Sequence, residues 1–261
     1  MVQWASDNGA KLDEATIAAA AYNGHLELIK WLKANGCPWG TSTSRIAAVR
    51  GKLETLQWLI ENSCPLDLHT SSDQNPKNKI SSEKLANNKR WDILHYLKNY
   101  GLYLSTKCYK YALGDFEQME LLYLDGCPLS AKQWAHAIWR FYSIPLLEWL
   151  KSKNCPWDPK VVFKHKYNSV EGPRMAFEWI LKNNFELDTR GCALVAATGD
   201  LKMLKWMRAN GWPWDNITCE QAAYHGRLEV FKYAVEAGCP VDLKKCFTIY
   251  ANIQEYIKQL K

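Results

Sequence analysis

Residues 24–39 read GHLELIKWLKANGCPW, and residues 51–65 repeat the phrase 27 positions later as GKLETLQWLIENSCP. Further copies begin at Gly199 and Gly226, again 27 positions apart. Self-similarity at a fixed period is typical of stacked supersecondary units, each of which buries its apolar face against its neighbours. The period therefore predicts a repeat protein that works by surface contact.

Two turn positions define the register of the repeat. The first lies inside each unit, at Gly24, Gly51, Lys89, Gly114, Tyr142, Gly172, Gly199 and Gly226. The second follows twelve residues later, at Gly36, Ser63, Gly101, Gly126, Asn154, Asn184, Gly211 and Gly238. Gly and Asn tolerate the left-handed conformation that closes a helix. In six copies Pro stands two residues beyond the second turn, where it prevents the helix from continuing.

The residues between the turns have helical periodicity. Leu26, Ile29 and Leu32 form an apolar stripe of the kind found on a helix that packs on one side. The segment before each inner turn is often rich in Ala, as at 18–21, which lets neighbouring units approach closely. We expect an all-α helix-turn-helix repeat solenoid over residues 1–261, a single domain of about nine units with partial end units. A longer polar loop is inserted near residues 66–79.

Composition narrows the class of protein. The chain is 48% hydrophobic and 23% charged, which is typical of a folded protein and excludes a disordered one. It contains no apolar run of about 18 residues, so we expect no membrane span. Five of the nine cysteines occupy one repeat slot that holds Trp212, Phe185 and Leu102 in other copies, which indicates apolar packing rather than disulfides. We expect an intracellular, cytoplasmic protein.

The pattern AAxxGHLExxxxL at residues 20–32 resembles the ankyrin repeat, where such residues end the first helix and run through the second. Ankyrin units have about 33 residues and open on Thr-Pro-Leu-His, which is missing here. The resemblance thus implies that most β-hairpin fingers are shortened or missing. Similar short units occur in large DNA viruses of amoebae and in protists, which implies a viral protein in the host cytoplasm. It also implies an adaptor whose first helices line a concave binding face.

The central units depart from the regular pattern in charge and in aromatic content. Residues 77–166 hold 15 Lys and Arg against 8 Asp and Glu, a net of +7, whereas the whole chain has +6. The predicted partner-binding residues are Lys107, Tyr109, Lys110, Trp134, Arg140, Lys160, Lys164 and Lys166, with His69, Asp73 and Lys77 in the inserted loop. The alternative is that these aromatics fill the helix stack, that the lysines solvate one face, and that the loop has no role.

No pattern of residues indicates catalysis. The chain has neither a phosphate-binding loop nor a Gly-x-Ser-x-Gly motif, and it has no Cys-x-x-Cys pair to start a zinc site. We therefore expect no enzyme activity, no cofactor and no metal. The predicted function is a monomeric protein–protein interaction module whose protein partner has an acidic surface. The alternatives are a nucleic-acid or polyanion binder that uses the basic aromatic units, which the modest charge of +6 disfavours, and a structural or assembly component.

Overall fold

The computed structural model of the chain describes residues 9, 12–70, 78–141, 143–164, 173–246 and 248–260. Over these residues the protein is all-α, and its helices follow one another as a helical repeat solenoid, which confirms the predicted fold class. One isolated bridge, between Leu68 and Ile80, is the only β pairing in the described part of the chain. The described inter-unit segments therefore contain no hairpin finger.

The helices come in pairs, a first helix and a second helix on either side of each inner turn. The first helices are α1 Glu14–Asn23, α3 Thr41–Arg50, α5 Ser82–Asn87, α7 Tyr109–Ala112, α9 Ala131–His136, α11 Pro159–Val162, α13 Arg190–Thr198 and α15 Asn216–Tyr224. The second helices are α2 Leu26–Ala34, α4 Leu53–Glu61, α6 Trp91–Lys98, α8 Phe116–Leu124, α10 Ile144–Ser152, α12 Pro173–Lys182, α14 Leu201–Ala209, α16 Leu228–Glu236 and the terminal α17 Ala251–Gln259. A 3₁₀ turn, Thr106–Cys108, precedes α7, and a π-helical turn, Ala137–Phe141, follows α9.

Contacts between residues divide the chain into two units, Met1–Pro128 and Leu129–Lys261. The arrangement of both as one continuous domain over residues 1–261 stays a prediction. No helix in the described ranges has the length and apolar character needed to cross a membrane.

The predicted turn positions have the backbone conformation expected of them. Each one that the structure describes has a positive φ, from 50° at Asn154 to 93° at Gly114. Tyr142 and Gly172 lie outside the described residues. Where Gly is replaced, the residues are Ser63, Lys89, Asn154 and Asn184, so the left-handed conformation is kept even without glycine. The repeat register read from the sequence is correct at these positions.

A long side chain from the following unit lies across several inner-turn glycines. Lys52, Arg90 and Arg227 each precede the first residue of a second helix, and they cover Gly24, Gly51 and Gly199 respectively. A Cβ atom at Gly51 would lie only 2.7 Å from Arg90 Nε, so the glycine makes room for this contact. The Nε–H of Arg227 also donates to the Ala197 carbonyl oxygen at 3.0 Å, near the C-terminus of α13.

Small residues bring the first helices of the Met1–Pro128 unit together. Ala20, Ala21, Ala47 and Ala48 are fully or almost fully buried, and α1 packs on α3. The Ala-rich pattern thus has the predicted role of letting first helices approach.

The Leu129–Lys261 unit has an aromatic core. Trp134, Trp139, Phe163, Phe177 and Trp212 are each at most 4% exposed. Their rings meet mostly edge to face, for example Trp139 and Phe177 with centroids 5.3 Å apart. Edge-to-face contact is a favoured geometry for aromatic pairs. These rings fill the space that alanines do not fill in this part of the repeat.

All nine cysteines are buried and free, and each cysteine of the common slot makes the same kind of hydrogen bond. Each slot thiol donates to the backbone carbonyl oxygen of the residue that caps the first helix of its own unit or, for Cys127, the 3₁₀ turn before that helix. The pairs are Cys37 to Asp13 (3.1 Å), Cys64 to Gly40 (3.7 Å), Cys127 to Ser105 (3.4 Å), Cys155 to Ser130 (3.5 Å) and Cys239 to Asp215 (3.2 Å). The slot therefore ties the end of each unit to its beginning.

Candidate functional site

Five basic side chains project from consecutive first-helix segments of the Leu129–Lys261 unit. We call them the basic face: Lys132, Arg140, Lys160, Lys164 and Arg190. The first four are exposed and Arg190 is partly exposed. α9 packs on α11, and the Nη1–H of Arg190 donates to the Lys160 carbonyl oxygen at 2.7 Å. The fold thus places these residues on neighbouring segments.

The basic face has few carboxylates to neutralise it. Residues 129–164, which hold the first four members, contain six Lys and Arg against Glu148 and Asp158, a net of +4. The fifth member, Arg190, lies 3.7 Å from an Asp188 carboxylate oxygen. Asp158 accepts the Lys160 backbone N–H at 2.9 Å as the cap of α11, and Glu148 accepts the indole N–H of Trp179. Within the described ranges Lys132, Arg140, Lys160 and Lys164 have no ion pair. Four positive charges are consequently available to a ligand.

Local geometry explains how the face forms. The π-helical turn Ala137–Phe141 widens the helix end, so that Trp139 points inward while Arg140 stays exposed. The Arg140 guanidinium lies 5.6 Å from the centre of the Phe141 ring, which is itself 38% exposed. α11 begins with Pro159, whose fixed φ suits the first position of a helix.

Two aromatic residues predicted to bind a partner are core residues instead. Tyr109 is 0% exposed and Trp134 is 1% exposed. The Tyr109 hydroxyl donates to the Cys127 carbonyl oxygen (3.1 Å), and the Trp134 Nε1–H donates to that of Cys155 (3.3 Å). The prediction is wrong for both, because their rings fill the stack and their polar atoms are used within it. The alternative reading of the aromatics, as filling for the helix stack, is correct here.

The Met1–Pro128 unit supplies the other two predicted lysines of the central units. The Lys107 ammonium lies 3.0 Å from a Glu83 carboxylate oxygen, so much of its charge is balanced. Lys110 is exposed, and its ammonium lies 5.3 Å from the centre of the Tyr111 ring. Of these two predicted lysines, Lys110 is therefore the more available to an anionic ligand.

The inserted loop is anchored at its described ends. The His69 N–H donates to the Ile80 carbonyl oxygen (2.9 Å), and the Tyr103 N–H donates to that of His69 (3.1 Å). The His69 ring also packs on the Tyr103 ring, with centroids 5.8 Å apart. His69 is thus half-buried and structural. Asp73, Lys77 and Lys166 lie outside the described residues.

Sequence reasoning missed Lys132 and Arg190, the two further members of the basic face. Both lie on first helices beside predicted residues, and this position in the unit is the signal that could have found them. Attention to aromatic clusters favoured Tyr109 and Trp134 instead, although both rings are buried in the helix stack.

No family model and no curated protein matches the sequence. Among solved structures, similar folds include the pentatricopeptide repeat protein PPR10 in complex with an 18-nucleotide psaJ RNA element, and a triple cysteine-to-serine variant of it with the same element. Each is 14% identical with a TM-score of 0.45 over 99% of this chain, which spans 44% of the neighbour's length. So distant a likeness does not bear on what this chain binds.

The comparisons also correct the ankyrin resemblance. The structures found are pentatricopeptide repeat proteins, with all-helical units, and no ankyrin model matches. The motif that suggested ankyrin is misleading for a physical reason. Paired alanines, a turn glycine and a following apolar stripe suit closely packed helix pairs in general and are not specific to ankyrin units. The ankyrin assignment is therefore wrong, and the predicted viral and adaptor properties that depended on it lose their support.

Proposed function

We propose that this protein is a binding protein, not an enzyme, and that its basic face holds single-stranded nucleic acid. The observation that carries the proposal is the set of four exposed cations, Lys132, Arg140, Lys160 and Lys164, without a carboxylate partner among the described residues. Cations on adjacent elements attract the phosphate backbone, and this attraction is largely independent of sequence.

The shape of the charge distribution favours a polymer over a small anion. The cations lie on consecutive first-helix segments rather than around one cavity. Neighbouring packed helices are about 8–10 Å apart, so the face presents charges at successive steps along the repeat. A flexible chain of phosphates can meet such a row, whereas a single phosphate reaches only one or two of its members. The partly exposed Phe141 ring beside Arg140 adds a surface for a base.

The test is binding of a fluorescein-labelled single-stranded RNA, followed by anisotropy at several salt concentrations. The test variant reverses Lys132, Lys160 and Lys164 to Glu. The control variant reverses Lys151, Lys182 and Lys202, which are exposed on second helices, so both variants change net charge equally. The test variant should bind at least about tenfold more weakly. The slope of its log affinity against log salt concentration should become shallower by about 2, since each phosphate that is no longer neutralised reduces the magnitude of this slope by ~0.7.

Equal losses in the two variants would mean that only net charge matters and that the basic face is a solvated surface. Failure of the wild-type protein to bind any single-stranded RNA or DNA at low salt would refute the proposal. A protein partner with an acidic surface, predicted from the sequence, would then be the hypothesis to test.

A further inference from the structure

An open cleft of about 580 Å³ lies at the last inner turn of the Leu129–Lys261 unit. Tyr224, His225, Thr248, Ile249 and Tyr250 line it. Three of these side chains carry rings, and the apolar ones are unusually exposed: 66% for Tyr224, 42% for Tyr250 and 89% for Ile249. Exposed apolar groups that share one concavity mark a binding site more often than a scattered surface residue does.

The cleft lies where an aromatic residue replaces a basic one at an equivalent position of the repeat. Tyr250 precedes the first residue of α17, the place that Lys52, Arg90 and Arg227 occupy before their own second helices. Those side chains cover the turn glycine of the previous unit, and Tyr250 covers Gly226 in the same way. A Cβ atom at Gly226 would lie 2.7 Å from the Tyr250 ring. An aromatic ring therefore replaces a cation at the final turn.

The wall of the cleft that Tyr250 forms is held in place before any ligand arrives. The Tyr250 N–H donates to Thr248 Oγ1 (3.1 Å), and the Gln254 side-chain amide donates to the Thr248 carbonyl oxygen (2.8 Å). Gly226, with φ of 72°, lets the Tyr250 ring lie against the backbone. On the other wall the rings of Tyr224 and His225 meet at 83° with centroids 5.1 Å apart. Fixed rings lower the entropy cost of binding a flat ligand.

The cleft and the basic face lie on one succession of helices. α11, α13 and α15 follow each other, since Arg190 bonds the Lys160 carbonyl oxygen and α13 packs on α15. Arg190 and Ala197 lie two helical turns apart on the same side of α13, and Tyr224 occupies the Ala197 position one period later. Two steps of about 8–10 Å separate α11 from α15, a distance that a few nucleotides span.

We infer that this cleft receives a base of the single-stranded nucleic acid whose phosphates contact the basic face. The inference rests on the proposed function and adds a stacking site to it. The rings of Tyr224, His225 and Tyr250 line the cleft and offer stacking surfaces for a base. The positive charge on the preceding first-helix segments, which ends with Arg190 on α13, favours a nucleobase that belongs to a polyanion over an uncharged aromatic compound.

The experiment compares two labelled oligonucleotides of about 12 residues, an oligodeoxyadenylate and its abasic counterpart with the same number of phosphates. The test variant is Tyr224→Leu, which keeps an apolar side chain at an exposed position but removes the ring. Tyr22→Leu is the matched control, because Tyr22 stands two residues before an inner turn glycine, as Tyr224 does, and is 45% exposed in the other unit.

The Tyr224→Leu variant should bind oligodeoxyadenylate about five- to a hundredfold more weakly while its affinity for the abasic strand stays the same. The Tyr22→Leu variant should match the wild type with both strands. If Tyr224→Leu binds both strands as the wild type does, while reversal of the basic face still abolishes binding, the stacking site is refuted and the proposed function stands. If the wild-type protein binds neither strand, both proposals are wrong.

Discussion

Gly191 shows how a single residue without a side chain controls the packing of the Leu129–Lys261 unit. It lies inside α13, and a Cβ atom there would come within 2.8 Å of the Trp212 ring. Trp212 is 0% exposed, and its Nε1–H has no hydrogen-bond partner among the described residues. The glycine, the second residue of α13, thus leaves room for the indole ring.

The Gly191→Ala substitution should therefore destabilise the protein by about 1–3 kcal/mol through overpacking, despite the better helix propensity of alanine. In a Trp212→Phe background the same substitution should be neutral or stabilising, because the smaller ring leaves room for the methyl group. Urea unfolding of the four proteins gives the coupling energy of the pair. A destabilisation of the same size in both backgrounds would show that the cost does not come from contact with Trp212.

Asp215 shows how one helix cap joins several elements. Its carboxylate accepts the Ile217 N–H (3.0 Å) at the start of α15 and the Thr189 hydroxyl (2.8 Å) beside α13. Its carbonyl oxygen accepts the Cys239 thiol (3.2 Å) from the end of α16. The start of one first helix is thus bonded to the preceding first helix and to its own second helix.

Replacement of Asp215 by alanine should cost about 1–2 kcal/mol, because it removes a cap and leaves the Thr189 hydroxyl without its acceptor. Asp215→Asn keeps an oxygen at the cap and should lower the free energy of unfolding by only about a few tenths of a kcal/mol. Urea unfolding followed by circular dichroism at 222 nm measures both variants. Equal losses for alanine and asparagine would show that the charge of Asp215, rather than its hydrogen bonds, stabilises α15.

These elements also show what can be learned from the sequence. The turn positions, including non-glycine ones such as Ser63 and Asn154, were predictable because a left-handed residue must stand wherever a short helix reverses direction. The inward direction of Tyr109 and Trp134 was not, because it depends on how each short first helix packs in the stack, which the spacing of the turns does not determine. The cleft beside Tyr250 was equally hidden, since the chain before α17 departs from the regular first helix.

The nine buried thiols are distributed along the chain from Cys37 to Cys246. Burial raises the pKa of Cys64 to about 11, and it raises the pKa of Cys155 and of Cys192 to about 12. The ordinary value is near 9. Folding therefore favours the neutral form of these three thiols. The resulting stability is fully present below the unfolded pKa and is lost as pH rises from about 9 towards the folded values of about 11 to 12.

The free energy of unfolding should accordingly be constant with respect to these thiols up to about pH 8.5 and decline above it. The Cys155→Ser variant keeps a donor for the Ser130 carbonyl oxygen but has no group that ionises in this range, so its decline should be shallower than that of the wild type. Urea unfolding at a series of pH values between 7 and 10.5 measures both slopes. Identical slopes would exclude Cys155 as a contributor.

The contacts that cover the turn glycines affect the order in which the units complete their packing during synthesis. Gly24, Gly51 and Gly199 are each closed by a side chain that belongs to the next unit, so a unit lacks its final contact until the following one has been synthesised. On the ribosome, where N-terminal segments emerge first, the helix pairs around these glycines would wait one unit before their inner turns are covered. Packing at these turns would then lag synthesis by one unit, and Tyr250 would cover Gly226 only after α17 had emerged.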